Sequence, residues 1–144
     1  MVVLKVKKLN NKAKIPNIAT KGSACFDIST IEDVMISRGS LVKVHTGLAV
    51  EIPEGYCLEI YPRSGIAGNG VIIPNSPAII DSDYRGEIVI NMYGLFVDRI
   101  LAFGVGSRIA QAKLVKLVPT TVKVVSKLES TERADGGFGS TGLK

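Results

Sequence analysis

The chain has 144 residues, enough for one domain with a real core. Apolar residues make up 46%, aromatic residues 6%, and the formal net charge is +5. No apolar run is long enough to cross a bilayer and no signal-peptide pattern is found, so a soluble, intracellular protein is expected. Positive charge alone would allow a nucleic-acid partner, but few aromatics and no basic helix or RNA-binding signature argue against one. The lysines of "LKVKKLNNKAK" and "KLVKLVPTTVKVVSK" alternate with apolar residues, as on the solvated face of strands. Cys25 and Cys57 lie outside any metal-ligand spacing, and with the single histidine, His45, they make a poor zinc set. Both are expected to be reduced and partly buried.

Period-two alternation begins at once. In "VVLKVKKL", Leu4 and Val6 alternate with Lys5 and Lys7. "LVKVHTGLAVEI" and "LEIYP" follow, punctuated by "SRGS" and "PEGY", and then come "GEIVINMYG", "AKLVKLV" and "TVKVV". Many short strands cut by turn residues predict an all-β sandwich or barrel. No stretch carries a sustained helical stripe. The best helical position is one or two turns at Ser64, with Ser64 as N-cap, although "GIAGNG" is a weak helix former. His45 falls in a strand pattern far in sequence from the polar motifs, and reads as a surface or half-buried histidine. The pattern divides the chain into a β-domain over 1–128 and a glycine-rich tail over 129–144 that has no apolar rhythm to pack.

Three stretches carry chemistry. In "AIIDSDYRGEIVI", Asp81 and Asp83 are two apart and would share a face on a strand, while Gly86 marks a turn or a close backbone approach. By itself this is a polar hairpin tip, since charged loop residues are mostly solvated. In "YPRSGIAGNG", Arg63 beside the hydroxyl and amides at Ser64 forms a ready anion site, against the plain alternative of a cap and a surface arginine. "GGFGSTG" lacks the lysine of a P-loop. Its glycines still allow successive amides to face an anion, with hydroxyls at Ser140 and Thr141 and a stacking face at Phe138.

In order and wording, "SACFDIS", "PRSGIA", "NSPAIIDSDYRGEI", "RIAQ" and "RADGGFGSTG" resemble the motifs of the trimeric deoxyuridine triphosphatases (dUTPases), which convert dUTP to dUMP and pyrophosphate. The resemblance spans nearly the whole chain. It implies a jelly-roll-like β-barrel or sandwich subunit, a homotrimer with three active sites shared between subunits, Mg²⁺ as cofactor and dUTP as small-molecule substrate. It implies neither a nucleic-acid nor a membrane partner, and a location in the cytoplasm, or inside the host cell if the gene is viral. By the same resemblance, the hairpin from Asn75 to Tyr84 holds the deoxyuridine: Asn75 and the backbone at Ile80 meet uracil, and Tyr84 lies under the deoxyribose where a 2′-hydroxyl would collide. Asp81 is then the general base for the water that attacks the α-phosphorus. Arg63, Ser64 and Gly65 bind the phosphate chain, with Ser64 near the scissile bridge, and Gln111 helps orient the water. Asp27 supports Mg²⁺ through bound water, the ion being held mainly by phosphate oxygens. The tail closes over a neighbouring site: Phe138 stacks on uracil, Arg133, Ser140 and Thr141 meet the β- and γ-phosphates, and Gly139 touches substrate.

Four positions depart from the family pattern. Cys25, Ala78 and Ala134 stand where glycine is usual, and Ser107 replaces an acid. Ala78 would change the uracil hairpin if its φ were positive. Two rivals share the motifs: a dCTP deaminase of the same fold, which needs a glutamate roughly where this chain has Asn91 and lacks the Tyr84–Arg85 pair, and a catalytically modest dUTP-binding regulatory protein, which in this family usually relies on inserted segments not evident here.

Overall fold

The computed structural model describes residues 2–137 and 140. Its strands are β1 (Lys5–Lys8), β2 (Phe26–Ser29), β3 (Val34–Ile36), β4 (Leu41–His45), β5 (Leu48–Glu51), β6 (Tyr56–Pro62), β7 (Val71–Ile72), β8 (Ala78–Ile80), β9 (Val89–Gly94), β10 (Leu101–Phe103) and β11 (Arg108–Lys116). One short helix, α1 (Ser64–Ala67), follows β6. The strands form a four-stranded sheet ordered β2-β11-β6-β8, a three-stranded sheet ordered β4-β9-β7, and two ribbons, β1-β5 and β10-β3. Every pairing is antiparallel. This is the all-β architecture that the short alternating runs predict, in the jelly-roll-like form that the family resemblance implies.

The alternation explains the layering. On β6, Leu58 and Ile60 are buried while Glu59 and Tyr61 face outward and are only half-covered. On β11, Ala110 and Ala112 point inward and Gln111 and Lys113 outward. The inward sets of the sheets meet in one cluster that includes Ile28, Ile36, Val44, Leu58, Ile60 and Met92. Side chains of this kind each contribute about 1.5–3 kcal/mol when fully buried, so the core lies between sheets and the polar groups are left on their outer faces.

The turn between β4 and β5 is a second fixed point. Gly47 has φ +63, and a Cβ there would lie 3.0–3.1 Å from Asn10, Ala13 and Ile31 side chains. Beside it, the buried Thr46 donates its hydroxyl to the Ile88 carbonyl at 2.7 Å and accepts from the Leu48 amide at 3.2 Å. This ties the turn to the segment leading into β9.

Two sequence expectations are corrected. "TVKVV" forms no strand, and its Val122 and Val124 are 91 and 94% exposed. Its period-two pattern is genuine, but among the described residues no strand lies alongside it to complete a ladder. Ser64 is the first helical residue rather than the cap, which is Arg63 at φ −81 and ψ 145 with no side-chain capping bond. Asp81 and Asp83 lie beyond the end of β8 in a turn closed by the Tyr84 amide on the Asp81 carbonyl at 3.2 Å, the polar hairpin tip that their residue types predict. Among the described residues, no helix is long and apolar enough to cross a membrane.

Leu58 is fully buried, with Leu114 of β11 and Ile80 of β8 as its ladder partners. Leu58→Ala should cost about 2–5 kcal/mol of stability, the range for emptying a rigid core site. Urea unfolding at fixed protein concentration measures this; a loss well under 1 kcal/mol would mean that this sheet does not carry the core.

Candidate active site

The rung formed by Asp27 on β2, Gln111 on β11 and Tyr61 on β6 sits on the outer face of the four-stranded sheet. The ladder register is irregular between Arg108 and Ala110. A bulge of this kind re-aims a side chain, and here Arg108 reaches back to Asp27, its Nη1 lying 3.0 Å from Oδ2. Arg63, just past the end of β6, places Nε 2.8 Å from Oδ1 of the same carboxylate. Both oxygens of Asp27 therefore face guanidinium groups, and the two arginines leave one positive charge uncompensated. Ser64 and Gly65 follow directly, ahead of the first amides that bond back to Arg63, those of Ile66 and Ala67. Gln111 donates from Nε2 to the Pro62 carbonyl at 3.0 Å, which fixes the amide plane and leaves Oε1 as its acceptor. The geometry suits a polyanion.

One rung further along the face, the Tyr61 hydroxyl donates to Glu59, and Lys113 lies 5.2 Å from the centre of the Tyr61 ring. The bond to Glu59, together with partial burial, holds the Tyr61 hydroxyl above its ordinary pKa, so it stays protonated.

A second group of predicted residues lies at the opposite end of β6. Ile80 pairs with Leu58, so Asp81 comes level with Cys57. The Cys57 thiol is pushed up, first by burial and then by the carboxylates of Glu59 and Asp81. Tyr84 is 44% exposed and donates its hydroxyl to the Glu87 carbonyl at 2.9 Å. Its ring covers Gly86, where an added Cβ would lie 2.6 Å from Cζ. Arg85 closes the turn by donating from Nη1 to the carbonyls of Ser82 at 2.6 Å and Tyr84 at 3.0 Å. Ile79, Ile80, Asp81, Tyr84, Glu87 and Val89 line a shallow cleft beside the turn. Asn75 is exposed on the connection from β7 to β8. Ala78 pairs with Ile60 as an ordinary extended residue, so its methyl group meets no positive φ.

The two groups are not brought together within one chain. From the level of Cys57 to Ser64, β6 and its exit span about 20 Å. In the tail, Arg133 is exposed and donates from Nε to the Gly136 carbonyl at 2.9 Å. Ala134 has φ +45, the left-handed conformation that glycine would adopt at less cost. The Ser140 amide bonds to the Gly137 carbonyl at 3.0 Å. Phe138, Gly139 and Thr141 lie outside the described residues.

Among the described residues, no three histidine, cysteine or acidic side chains gather around a point where a metal ion would sit. With both oxygens engaged by arginines, Asp27 is suited to an outer-sphere role only. That donor set fits a hard cation that keeps its waters and takes its other ligands from phosphate.

The dUTPase family model matches residues 11–142, which include all five quoted motifs. This chain belongs to the dUTPase family. A deoxyuridine 5'-triphosphate nucleotidohydrolase of Hydrogenobaculum sp. (strain Y04AAS1) is 45% identical over 143 residues, covering 98% of this chain and 99% of the relative. One from Nautilia profundicola is 46% identical over 140 residues, with 96% and 98% covered. The solved structure of the Staphylococcus bacteriophage 80alpha dUTPase with dUPNHPP matches with a TM-score of 0.84 at 28% identity, covering 98% of this chain and 99% of that one. The jelly-roll-like fold is thus the dUTPase fold. Two participants around the dUTPase motifs escaped sequence analysis. Arg108 stands inside the quoted "RIAQ", but nothing in its spacing shows that it meets Asp27. Glu87 directly follows Gly86, and its partners lie on a distant turn.

At Gly86, the atoms in the way of a methyl group belong to the end of the Tyr84 side chain, which can swing, and not to backbone. Gly86→Ala should therefore fold normally and displace the Tyr84 ring from the Glu87 carbonyl. The ring resonances of Tyr84, followed by NMR, report the move; an unshifted ring would show that glycine is not needed there.

Proposed function

We propose that this chain hydrolyses dUTP to dUMP and pyrophosphate, with Asp81 and Tyr84 at one end of the site and Arg63, Ser64, Gly65 and Gln111 at the other. The observation that carries the proposal is the division of the family motifs into a carboxylate-and-ring cleft and a separate cluster with surplus positive charge. Deoxyuridine sits in the hairpin from Asn75 to Tyr84, against the backbone at Ile80, and the Tyr84 ring leaves no room for a 2′-hydroxyl. Asp81 takes a proton from water as its oxygen bonds to the α-phosphorus. The bond from that phosphorus to the bridging oxygen breaks, and pyrophosphate leaves with the electron pair. Arg63, with the amides of Ser64 and Gly65, neutralises charge on the phosphate chain, and Gln111 orients the water. Catalysis here is mostly positioning and charge neutralisation. Mg²⁺ would be held mainly by the substrate's phosphate oxygens, with Asp27 meeting it through water, and when bound would supply further charge neutralisation.

Because one chain keeps the two clusters about 20 Å apart, the active site is completed between copies in a homotrimer. The bare apolar side chains of Val118, Val122 and Val124 support association, since such surface is unfavourable in water. The tail over 129–144 acts on a neighbouring site: Phe138 covers the base, Arg133, Ser140 and Thr141 meet the terminal phosphates, and Gly139 touches substrate. The free Cys25 and Cys57 suit a reducing compartment, the cytoplasm or the interior of a host cell. Deamination of dCTP finds no support, because Asn91 pairs opposite Lys43 on β4 and an amide cannot shuttle the required proton.

Asp81→Asn should still bind dUTP and lose about 10²–10⁴-fold in kcat, the contribution of a general base. Pyrophosphate release measures this, and turnover near wild type would remove Asp81 from its role. A complementation experiment tests the sharing. Asp81→Ala with an intact tail, and a chain ending at Glu129, should each form trimers and be nearly inactive. Refolded together, they should recover activity, since some sites then combine Asp81 from one chain with the tail of another. No recovery in mixed trimers verified by mass would refute a tail acting on a neighbour.

A further inference from the structure

His45, left outside the motifs by its place in the sequence, is brought onto the substrate hairpin by the fold. Its Nδ1 lies 2.9 Å from Oε2 of Glu87, and the other oxygen of Glu87 accepts the Gly47 amide at 2.8 Å. Both oxygens of Glu87 are thus held by the β4–β5 turn. The carbonyl of this same residue holds the Tyr84 hydroxyl at 2.9 Å. The turn itself is rigid, because Gly47 has little space around it and Thr46 is tied to Ile88. A continuous chain of contacts therefore runs from the imidazole through Glu87 to the ring beneath the sugar position.

We propose that Glu87 and His45 form a proton-dependent latch that positions Tyr84 and so sets how strictly the site excludes a 2′-hydroxyl. The inference rests on the sugar-excluding role of Tyr84 proposed above. The groups around the imidazole favour its charged form. Glu87 faces the ring from the segment before β9, and Glu32, from the β2–β3 connection, accepts the His45 amide at 2.8 Å. Lys43 lies two residues away on the same face of β4, and Val89, the ladder partner on β9, carries no charge. The hydrogen bond to Glu87 raises the imidazole above its ordinary value, against a smaller opposing effect of burial, and the charges of Glu87 and Glu32 add to the rise. Burial alone would raise Glu87, but the His45 and Gly47 hydrogen bonds outweigh it and bring the carboxyl below its ordinary value. A raised histidine contributes fully below its unfolded pKa of about 6.5 and loses that contribution as pH climbs through the higher folded value. The latch is therefore tightest in mild acid and slackens from neutral to mildly alkaline pH. The pair is partly solvated, with side chains 46% and 26% exposed, so the effect is that of a modest ion pair, about two- to five-fold.

The readout is the ratio of kcat/KM for dUTP to that for UTP between about pH 6 and 9. Ionisation of Asp81 and of the phosphates is common to both substrates and cancels in the ratio. In the wild type the ratio should fall about two- to five-fold as His45 loses its proton, and it should be flat in His45→Gln and Glu87→Gln. His45 is the single histidine of the chain, so its own titration is read directly by NMR and should move down toward the ordinary value in Glu87→Gln. His45→Gln, at a half-exposed site, carries the test if Glu87→Gln fails to fold. A wild-type ratio independent of pH, or a pH dependence that survives His45→Gln, overturns the latch. Tyr84→Ala separates the two levels. If it collapses the ratio at every pH while the His45 and Glu87 variants behave as wild type, only the latch is wrong. If Tyr84→Ala leaves the ratio unchanged, the sugar-excluding role fails and the latch falls with it.

Discussion

The double pairing of β11 is the constraint on which the site depends. β11 lies between β2 and β6, and through it Asp27 becomes a neighbour of Gln111 and of the exit from β6 at Arg63. The small inward residues Ala110 and Ala112 let the sheet pack closely over the core, while the outward positions of the same strand are free to carry polar chemistry. The hydrophobic effect acting on one face therefore places charged groups on the other, where the largely covered Asp27 is compensated by two arginines. The bulge at the start of β11 sets Arg108 opposite Ser29, on the same face as Asp27, where regular pairing would have set it opposite Thr30.

The charge distribution that results is asymmetric. Around Asp27 two guanidiniums meet one carboxylate, and the carboxylate assigned to base chemistry, Asp81, lies at the far end of β6. Had Asp81 been adjacent to Arg63 and Arg108, it would have been paired with them and a poorer base. Dividing the site between copies, as proposed, keeps the cations available for phosphate and the base unpaired.

Around Tyr84 the determining forces are local and steric. Gly86 makes room for the ring, Arg85 ties the turn to its own carbonyls, and Glu87 anchors the turn to the rigid Thr46–Gly47 corner. The methyl group of Ala78 is tolerated because β8 keeps that residue in ordinary extended pairing with β6. Ala134 is different: its left-handed backbone puts a cost on the tail conformation that glycine would not incur.

The strands were legible because period-two alternation and turn residues are local signals, and the core positions Leu58, Ile60, Ile90 and Met92 follow from them. The motif residues were legible because their wording matches a family. Local pattern failed where pairing is non-local. "TVKVV" has the alternation of a strand but, among the described residues, no partner strand. The ion pairs of Asp27 with Arg63 and Arg108, and the contact of His45 with Glu87, join residues far apart in sequence. A residue's tendency to be extended, buried or charged resides in its own chemistry and that of its neighbours along the chain. Which two charges meet depends on strand order and register, and those follow only when every hydrophobic face has found its cover.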